Sequence, residues 1–482
     1  MNLKKKAIKG VVWSAVQSWG SQGVALVVFF CLARLLTPVE FGLVALANVF
    51  LAFMKIFLGE GFAKAIIQRK NIEPAHLDTV FWLNFGVSIA LFFITLATAS
   101  WLGNIFDEPD LAPVLRGFSI LFIITSFSTV QQAILEREFD FKSIAMRSLL
   151  GISLSGAVGI TMAIAGLGVW SLVGQQIVHE LVAVITLWRL SDWRPGFKVS
   201  MRHFQDLWSF AAATLGFKAL TFAHTRADDL LIGYFLDSAA LGLYSLAYKV
   251  FTILSMLLIK TSNRVALPIF SRLQDDIEQL RQSFHWMTKL TSLVSFPVFI
   301  SVVLLAHELI SVIFGPQWLA AVPVLQLLAL VGLMRAATFF KSSVFMALNK
   351  PHWRLYLGLL DTCLNLIGFI IAVRWGIVAV AFAYLVRFYL MFPLGQWLVG
   401  ILIQTSMLEY LQQFLTPFLS TLAMVAAILG IKFSVGAELS PIWVFISCTG
   451  CGAIVYVAAL FFLDPKLFHK VNELGRLALE RS

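Results

Sequence analysis

Thr37-Pro38-Val39-Glu40-Phe41-Gly42-Leu43 joins two apolar runs, 11–33 and 40–62. Each is long enough to cross a bilayer as a helix, which takes roughly 20 mostly apolar residues. Asp237-Ser238-Ala239-Ala240-Leu241-Gly242-Leu243 holds the same place between runs 207–235 and 239–262. Gly42 and Gly242 lie about 200 residues apart, and Trp13-Ser14 and Trp208-Ser209 open the first helix of each pair. Both hairpins turn on the same side of the membrane, so the repeat is parallel. A parallel repeat predicts two lobes related by an axis along the membrane normal, with a cavity between them.

Counting outward from these hairpins gives about fourteen such runs. The others are 79–103, 112–134, 144–166, 168–189, 286–306, 319–346, 353–373, 376–399, 409–431 and 441–463. The predicted fold class is an all-α polytopic membrane protein. Residues 1–205 and 206–402 form two six-helix lobes around a central cavity, and 403–482 add two helices and a basic tail. Composition agrees: 13% of residues are charged, against about 25% in soluble domains. The mean hydropathy is +0.87. The runs are of helical length, not the ten-residue alternation of an outer-membrane barrel. Frequent Phe suits lipid-facing helices, and Trp suits the headgroup belts.

The net charge of +10 would suggest nucleic acid in a soluble protein. Here the basic residues sit mostly in short alternate loops, so no nucleic-acid partner is expected. One set of loops carries Lys4, Lys5 and Lys6; Lys64, Arg69 and Lys70; Arg137, Lys142 and Arg147; and Arg189, Arg194, Lys198 and Arg202. It continues with Lys260, Arg264, Arg272 and Arg281, with Lys350 and Arg354, and with Lys466, Lys470, Arg476 and Arg481. The opposite set has little beyond Arg34, Arg116, Arg374 and Lys432, and includes the acidic Asp107-Glu108-Pro109-Asp110. By the positive-inside rule both termini are cytoplasmic, which requires an even number of spans. The loop near Ile403 has no Lys or Arg and departs from the pattern. The basic start followed by a long apolar run reads as an uncleaved first helix in an inner membrane. Cys448-Thr-Gly-Cys451 lies inside an apolar run without a second pair or a nearby His. It reads as small packing residues rather than a metal or redox site.

Charges deep in a span are expensive and usually face a cavity or a partner. Lys55, Lys218, Arg226, Lys249, Arg335 and Arg387 are the candidate substrate-binding cations. Lys218, Lys249 and Arg387 fall about 15–20 Å from one end of their runs, at 1.5 Å per residue. Lys341 and Glu60 are close enough to an end for snorkelling to explain them. Lys218, Thr221, Phe222, Thr225 and Asp229 recur at helical spacing and share one face. Such a stripe lines water, or its cations pair with Asp228 and Asp229 to hold helices together. The cationic excess suits an anionic cargo, because Lys and Arg lower the cost of carrying phosphate through a low dielectric. Asp229 and Asp361 are the candidates for binding a coupling cation, Na+ or H+. No Gly-rich Lys-Ser/Thr loop is present, and no catalytic motif stands out, so a transporter without ATP chemistry and without a cofactor is expected.

Four stretches carry a resemblance: Arg34 to Gly42; Arg226-Ala227-Asp228-Asp229-Leu230-Leu231-Ile232-Gly233 running on to Tyr244; Pro268 to Gln274; and Phe314-Gly315-Pro316-Gln317-Trp318. In order and spacing the chain resembles the polysaccharide-transport family of oligosaccharide flippases, in the multidrug/oligosaccharidyl-lipid/polysaccharide superfamily. It is similar to colanic-acid-type exporters and lipopolysaccharide biosynthesis proteins. The resemblance implies alternating access and a lipid-diphosphate oligosaccharide as cargo. It implies membrane lipids, a polysaccharide polymerase and glycosyltransferases as partners. Many members have twelve spans, and related lipid II flippases have fourteen. A drug/cation antiporter would favour acids in its cavity, and an integral-membrane enzyme would need a sizeable catalytic loop. Both remain as alternatives.

Overall fold

The computed structural model describes residues 3–434 and 439–465. Within them, side chains are described except at 3–12, 14–16, 60, 220, 223, 224 and 260–265. The basic tail named above, Lys466 to Arg481, lies outside the described residues.

The long helices are α1 (Leu3–Leu35), α2 (Pro38–Lys55), α3 (Pro74–Ile105), α4 (Leu111–Arg137), α5 (Phe141–Ile164), α6 (Val169–Leu190) and α7 (Met201–Phe235). They continue as α8 (Ser238–Ser255), α9 (Ile277–Ile313), α10 (Val322–Thr338), α11 (Pro351–Ala372), α12 (Ile377–Ile403), α13 (Leu415–Ser434) and α14 (Pro441–Leu463). Among the described residues, thirteen helices are long and apolar enough to cross a membrane. The fourteenth expected span is α7. With 35 residues it is about 52 Å long, so polarity rather than length sets it apart. In lipid a helix satisfies its own backbone, which is why apolar runs of this length fold this way.

The chain packs as two compact units, Met1–Gly242 and Leu243–Ser482. In the first, α5 packs against both α1 and α6, α3 runs along α4, and α4 along α6. Phe118 and Phe122 fill its core. A short helix, Glu60–Gln68, leaves α2 at Gly59, whose φ of 53° places it in the left-handed region. The space a Cβ would need there is taken by the Asn84 amide. That helix inserts Phe62 and Ile66 among Phe81, Val130 and Leu207. The segment leading to α7 is pinned to α3: Trp82 Nε1 donates to the Gly196 carbonyl at 2.7 Å, and Gly196 N–H donates to Asp78 Oδ1 at 2.9 Å.

The two hairpins of the repeat meet. Thr37 caps α2 in a reciprocal box with Glu40, its N–H donating to Glu40 Oε2 at 2.6 Å. Asp237 holds the matching position before α8, its Oδ1 accepting from Ala240 N–H at 2.6 Å. A Cβ on Gly42 would overlap the Ser238 carbonyl, and one on Gly242 would overlap the Pro38 carbonyl. The glycines matched by sequence therefore face each other reciprocally, at a backbone approach that only glycine allows.

In the second unit, α8 runs through a π-helical turn, Met256–Lys260, into a helix with Pro268 inside it, Thr261–Arg272. A core of Phe270, Phe284, Phe340, Phe345 and Tyr410 lies beneath it. The Tyr410 hydroxyl donates to the Ala337 carbonyl, one of those released where α10 ends and the short helix Lys341–Ala347 begins. Burial pushes the Tyr410 hydroxyl well above its ordinary value. α9 carries Pro297 and is broken at Leu305, whose ψ of 17° is non-helical. Lys432 of α13 donates to the Leu304 carbonyl at 3.0 Å and pairs with Glu308 at 2.7 Å. Gln326 Nε2 donates to the Val303 carbonyl at 2.9 Å. Such rescue of freed carbonyls is what lets a broken helix persist at membrane depth.

The two C-terminal helices pack in this unit against α9. Met424, Ile428, Val444, Cys448 and Tyr456 form their core with Leu305, and Tyr456 donates to the Leu293 carbonyl at 2.7 Å. Cys448 is buried there and Cys451 half-buried, as small packing residues are. Trp101, Trp170, Trp375 and Trp443 are exposed, each at the helix end opposite the basic loops. That is where an interfacial aromatic belt sits.

Candidate functional site

A cavity with charged side chains in its wall opens within each unit. In the second, Thr338 at the end of α10, Lys341 and Ser342 of the short helix, Arg354 and Asp361 of α11, and Phe388 of α12 line a cavity of about 170 Å³. Arg387, on α12, is 5% exposed and donates to Asp361 Oδ2 at 2.5 Å. Its guanidinium lies 4.3 Å from the Phe388 ring centre and 4.6 Å from that of Tyr384. The rings and the carboxylate fix its plane, which suits a fork-shaped donor. Its Nε makes no hydrogen bond, nor does the buried Oδ1 of Asn365, one turn beyond Asp361 on α11. Three cations, Lys341, Arg354 and Arg387, thus share this neighbourhood with Asp361. Their excess charge is positive, and a phosphate-bearing ligand offers the acceptors that Arg and Lys recognise.

The first unit holds a larger cavity of about 360 Å³, lined by Lys55, Ser155, Gln175, Gln176, His179 and Glu180. Beside it Arg147 donates to Gln132 Oε1 at 2.5 Å, and Gln132 Nε2 donates to Glu136 Oε1 at 2.8 Å. α4, α5 and α6 supply this network.

Of the cations expected from sequence, Lys55 and Arg387 are at or beside these cavities. Arg226 pairs with Asp229 within α7 at 3.0 Å. Thr221 and Thr225 donate back to the carbonyls of Phe217 and Thr221, each at 2.9 Å. Lys218 is half-buried on the same helix and Asp228 is buried. Lys249 is exposed on α8. Arg335 places its guanidinium 5.6 Å from the Phe251 ring centre. Asp361 and Arg387, read separately as a cation ligand and an anion ligand, are brought together. Lys341, attributed to snorkelling, instead lines the cavity with Asp361. The break between α10 and its own short helix turns it inward. The Glu60 side chain lies outside the described residues.

Gln175, Gln176, His179, Glu180 and Arg147 were missed. The signal was present, because Gln175-Gln176-x-x-His179-Glu180 repeats at helical spacing inside an apolar run, as the α7 stripe does.

Residues 31–323 match the family described as "Polysaccharide biosynthesis protein". The chain belongs to that family. Among its relatives, the teichuronic acid biosynthesis protein TuaB of Bacillus subtilis (strain 168) is 29% identical over 99% of this chain and 100% of its own length. The lipopolysaccharide biosynthesis protein WzxC of Escherichia coli (strain K12) is 30% identical over 72% of this chain and 71% of its own. Among solved structures, the lipid II flippase MurJ in an inward closed conformation superposes with a TM-score of 0.73 at 15% identity, covering 95% of this chain and 99% of that one. This polysaccharide biosynthesis protein therefore has the MurJ fold and is a multi-pass membrane protein.

Proposed function

We propose that this protein is a flippase that moves lipid-diphosphate-linked oligosaccharide, the repeat unit of a cell-surface polysaccharide, across the bacterial inner membrane by alternating access. The observation that carries the reading is the cavity lined by Lys341, Arg354 and Asp361, with Arg387 paired to that carboxylate, built on helices long and apolar enough to span a bilayer. An unaided diphosphate would meet a prohibitive desolvation cost at mid-membrane. Oriented guanidinium and ammonium groups replace its lost water with charge-assisted hydrogen bonds. The names of TuaB and WzxC, and that of MurJ as a lipid II flippase, support the same class of cargo. Cycling requires the cations to be released again. Asp361 competes for Arg387, and Asp229 for Arg226, so in this reading each guanidinium trades its carboxylate for the anionic cargo and the freed carboxylate takes a coupling Na+ or H+. The basic loops face the cytoplasm in this reading, with both termini there. A polysaccharide polymerase and glycosyltransferases act on either side of the step.

The test is the leaflet in which lipid-linked oligosaccharide accumulates in cells lacking the protein. Cytoplasmic-leaflet accumulation is expected, reversed by the wild type. Lys218→Ala/Lys249→Ala and Lys341→Gln/Arg354→Gln should each rescue at least tenfold less well, equivalent to about 1.4 kcal/mol. A normal distribution across both leaflets in the deletion strain would overturn the reading.

A further inference from the structure

Away from both cavities, three metal-ligating side chains, Glu73, His76 and His203, converge where α3 and α7 begin, with Asp206 beside them. His203 Nε2 lies 3.2 Å from Glu73 Oε2, and His76 Nε2 lies 3.5 Å from Asp206 Oδ2. The two imidazoles meet edge to face, 4.3 Å between ring centres. One ligand atom from each of Glu73, His76 and His203 falls within 4.8 Å of the others. His76 is 2% exposed, yet its Nε2 makes no hydrogen bond. Packing alone does not account for a buried imidazole whose outer nitrogen faces a carboxylate at 3.5 Å without reaching hydrogen-bond geometry.

We propose that Glu73, His76 and His203, with water as the fourth ligand, bind one divalent transition-metal ion of the zinc class. Two imidazoles and a carboxylate suit zinc, cobalt or nickel, whereas magnesium and calcium take oxygen ligands. A tetrahedral ion with bonds near 2.1 Å needs ligand atoms about 3.4 Å apart. The Glu73–His203 pair at 3.2 Å already meets that spacing, and small rotations of side chains whose ligand atoms lie within 4.8 Å of one another close the remainder. Arg69 donates to Asp206 Oδ2 at 2.9 Å and to its backbone carbonyl at 3.2 Å. It keeps Asp206 turned towards His76, a negative charge beside the site. The protons balance simply. His76 Nδ1 accepts from Glu73 N–H at 3.2 Å, so the neutral ring carries its proton on Nε2. Metal binding at Nε2 moves that proton to Nδ1, and the Glu73 N–H, at an exposed helix cap, turns to water. The bound ion would staple the first turn of α3 to the first turn of α7.

The experiment uses the full chain, purified without a polyhistidine tag, reconstituted in lipid nanodiscs and stripped with chelator. Zn2+ and Co2+ are titrated separately, and bound metal is counted by mass spectrometry. One equivalent is expected, with the visible absorption of tetrahedral Co2+ and no competition from excess Mg2+. His203→Ala and Glu73→Gln should each weaken binding at least tenfold while leaving the metal-free unfolding temperature unchanged. These sites are used because His76→Ala, at a buried position, could fail to fold. Absence of stoichiometric binding, or variants that bind like the wild type, would overturn the proposal. The readout is metal binding, so it stands or falls apart from transport.

Discussion

Arg387 and Asp361 sit 26 positions apart on different helices, and each loses its main partner if the other is removed. Arg387→Ala strands a carboxylate, and Asp361→Asn strands a nearly buried guanidinium. We expect each to destabilise the protein by about 2 kcal/mol, below the 3–5 of a fully buried pair, because Asp361 is 32% exposed. The double variant should recover part of the loss, as measured by thermal unfolding in detergent. Glu409 is a second residue with a clear sign. The Ser406 backbone N–H donates to Oε2 at 3.1 Å, as does the Thr405 hydroxyl, and these bonds hold its carboxyl below the ordinary value of 4.5. A depressed carboxylate stabilises above its unfolded pKa, and that contribution is lost as pH falls through the folded value. Hydrogen-exchange protection of the Ser406 amide should therefore hold from neutral pH to about 5 and fall away below the ordinary carboxylate range, while Glu409→Ala should lack it at every pH. At this scale the sequence was legible within a helix and silent between helices. The α7 stripe could be read from spacing, but nothing in spacing brings Asp361 to Arg387. Arg147, grouped by sequence with the loop cations, lies within α5 and donates to Gln132 of α4.

Helix ends and interruptions decide what the elements do. Thr37 and Asp237 cap their helices as their residue types predict, and the hairpins they open were legible from hydropathy and a shared glycine. Their mutual contact was not, since a repeat reports equivalence rather than proximity. Gly42→Ala and Gly242→Ala should each destabilise by at least about 3 kcal/mol, the upper end of an ordinary overpacking cost, because the atom struck is backbone. Gly86→Ala is the control, for a Cβ there meets nothing within 4 Å; its unfolding temperature should not fall. The break in α9 at Leu305 was invisible as well. Lys432 looked like a stray charge on the acidic side, and only the fold shows it serving a carbonyl that the break released.

For the molecule as a whole, parity is the sharpest prediction. The thirteen apolar helices among the described residues would by themselves put the two termini on opposite sides. Adding α7 puts them together, as the basic loops require. Reporter fusions at each end should both read cytoplasmic, and a split result would mean that α7 does not cross. Hydropathy recovered the all-α, many-span architecture because apolar length is what a bilayer selects. It was weakest at α7, where polar residues override that signal. The meeting of Gly42 with the Ser238 carbonyl also has a consequence in time. The ribosome must add about 200 residues between the two tips, which takes roughly 10–40 s at 5–20 residues per second. For that interval the tip of α2 is inserted without its counterpart.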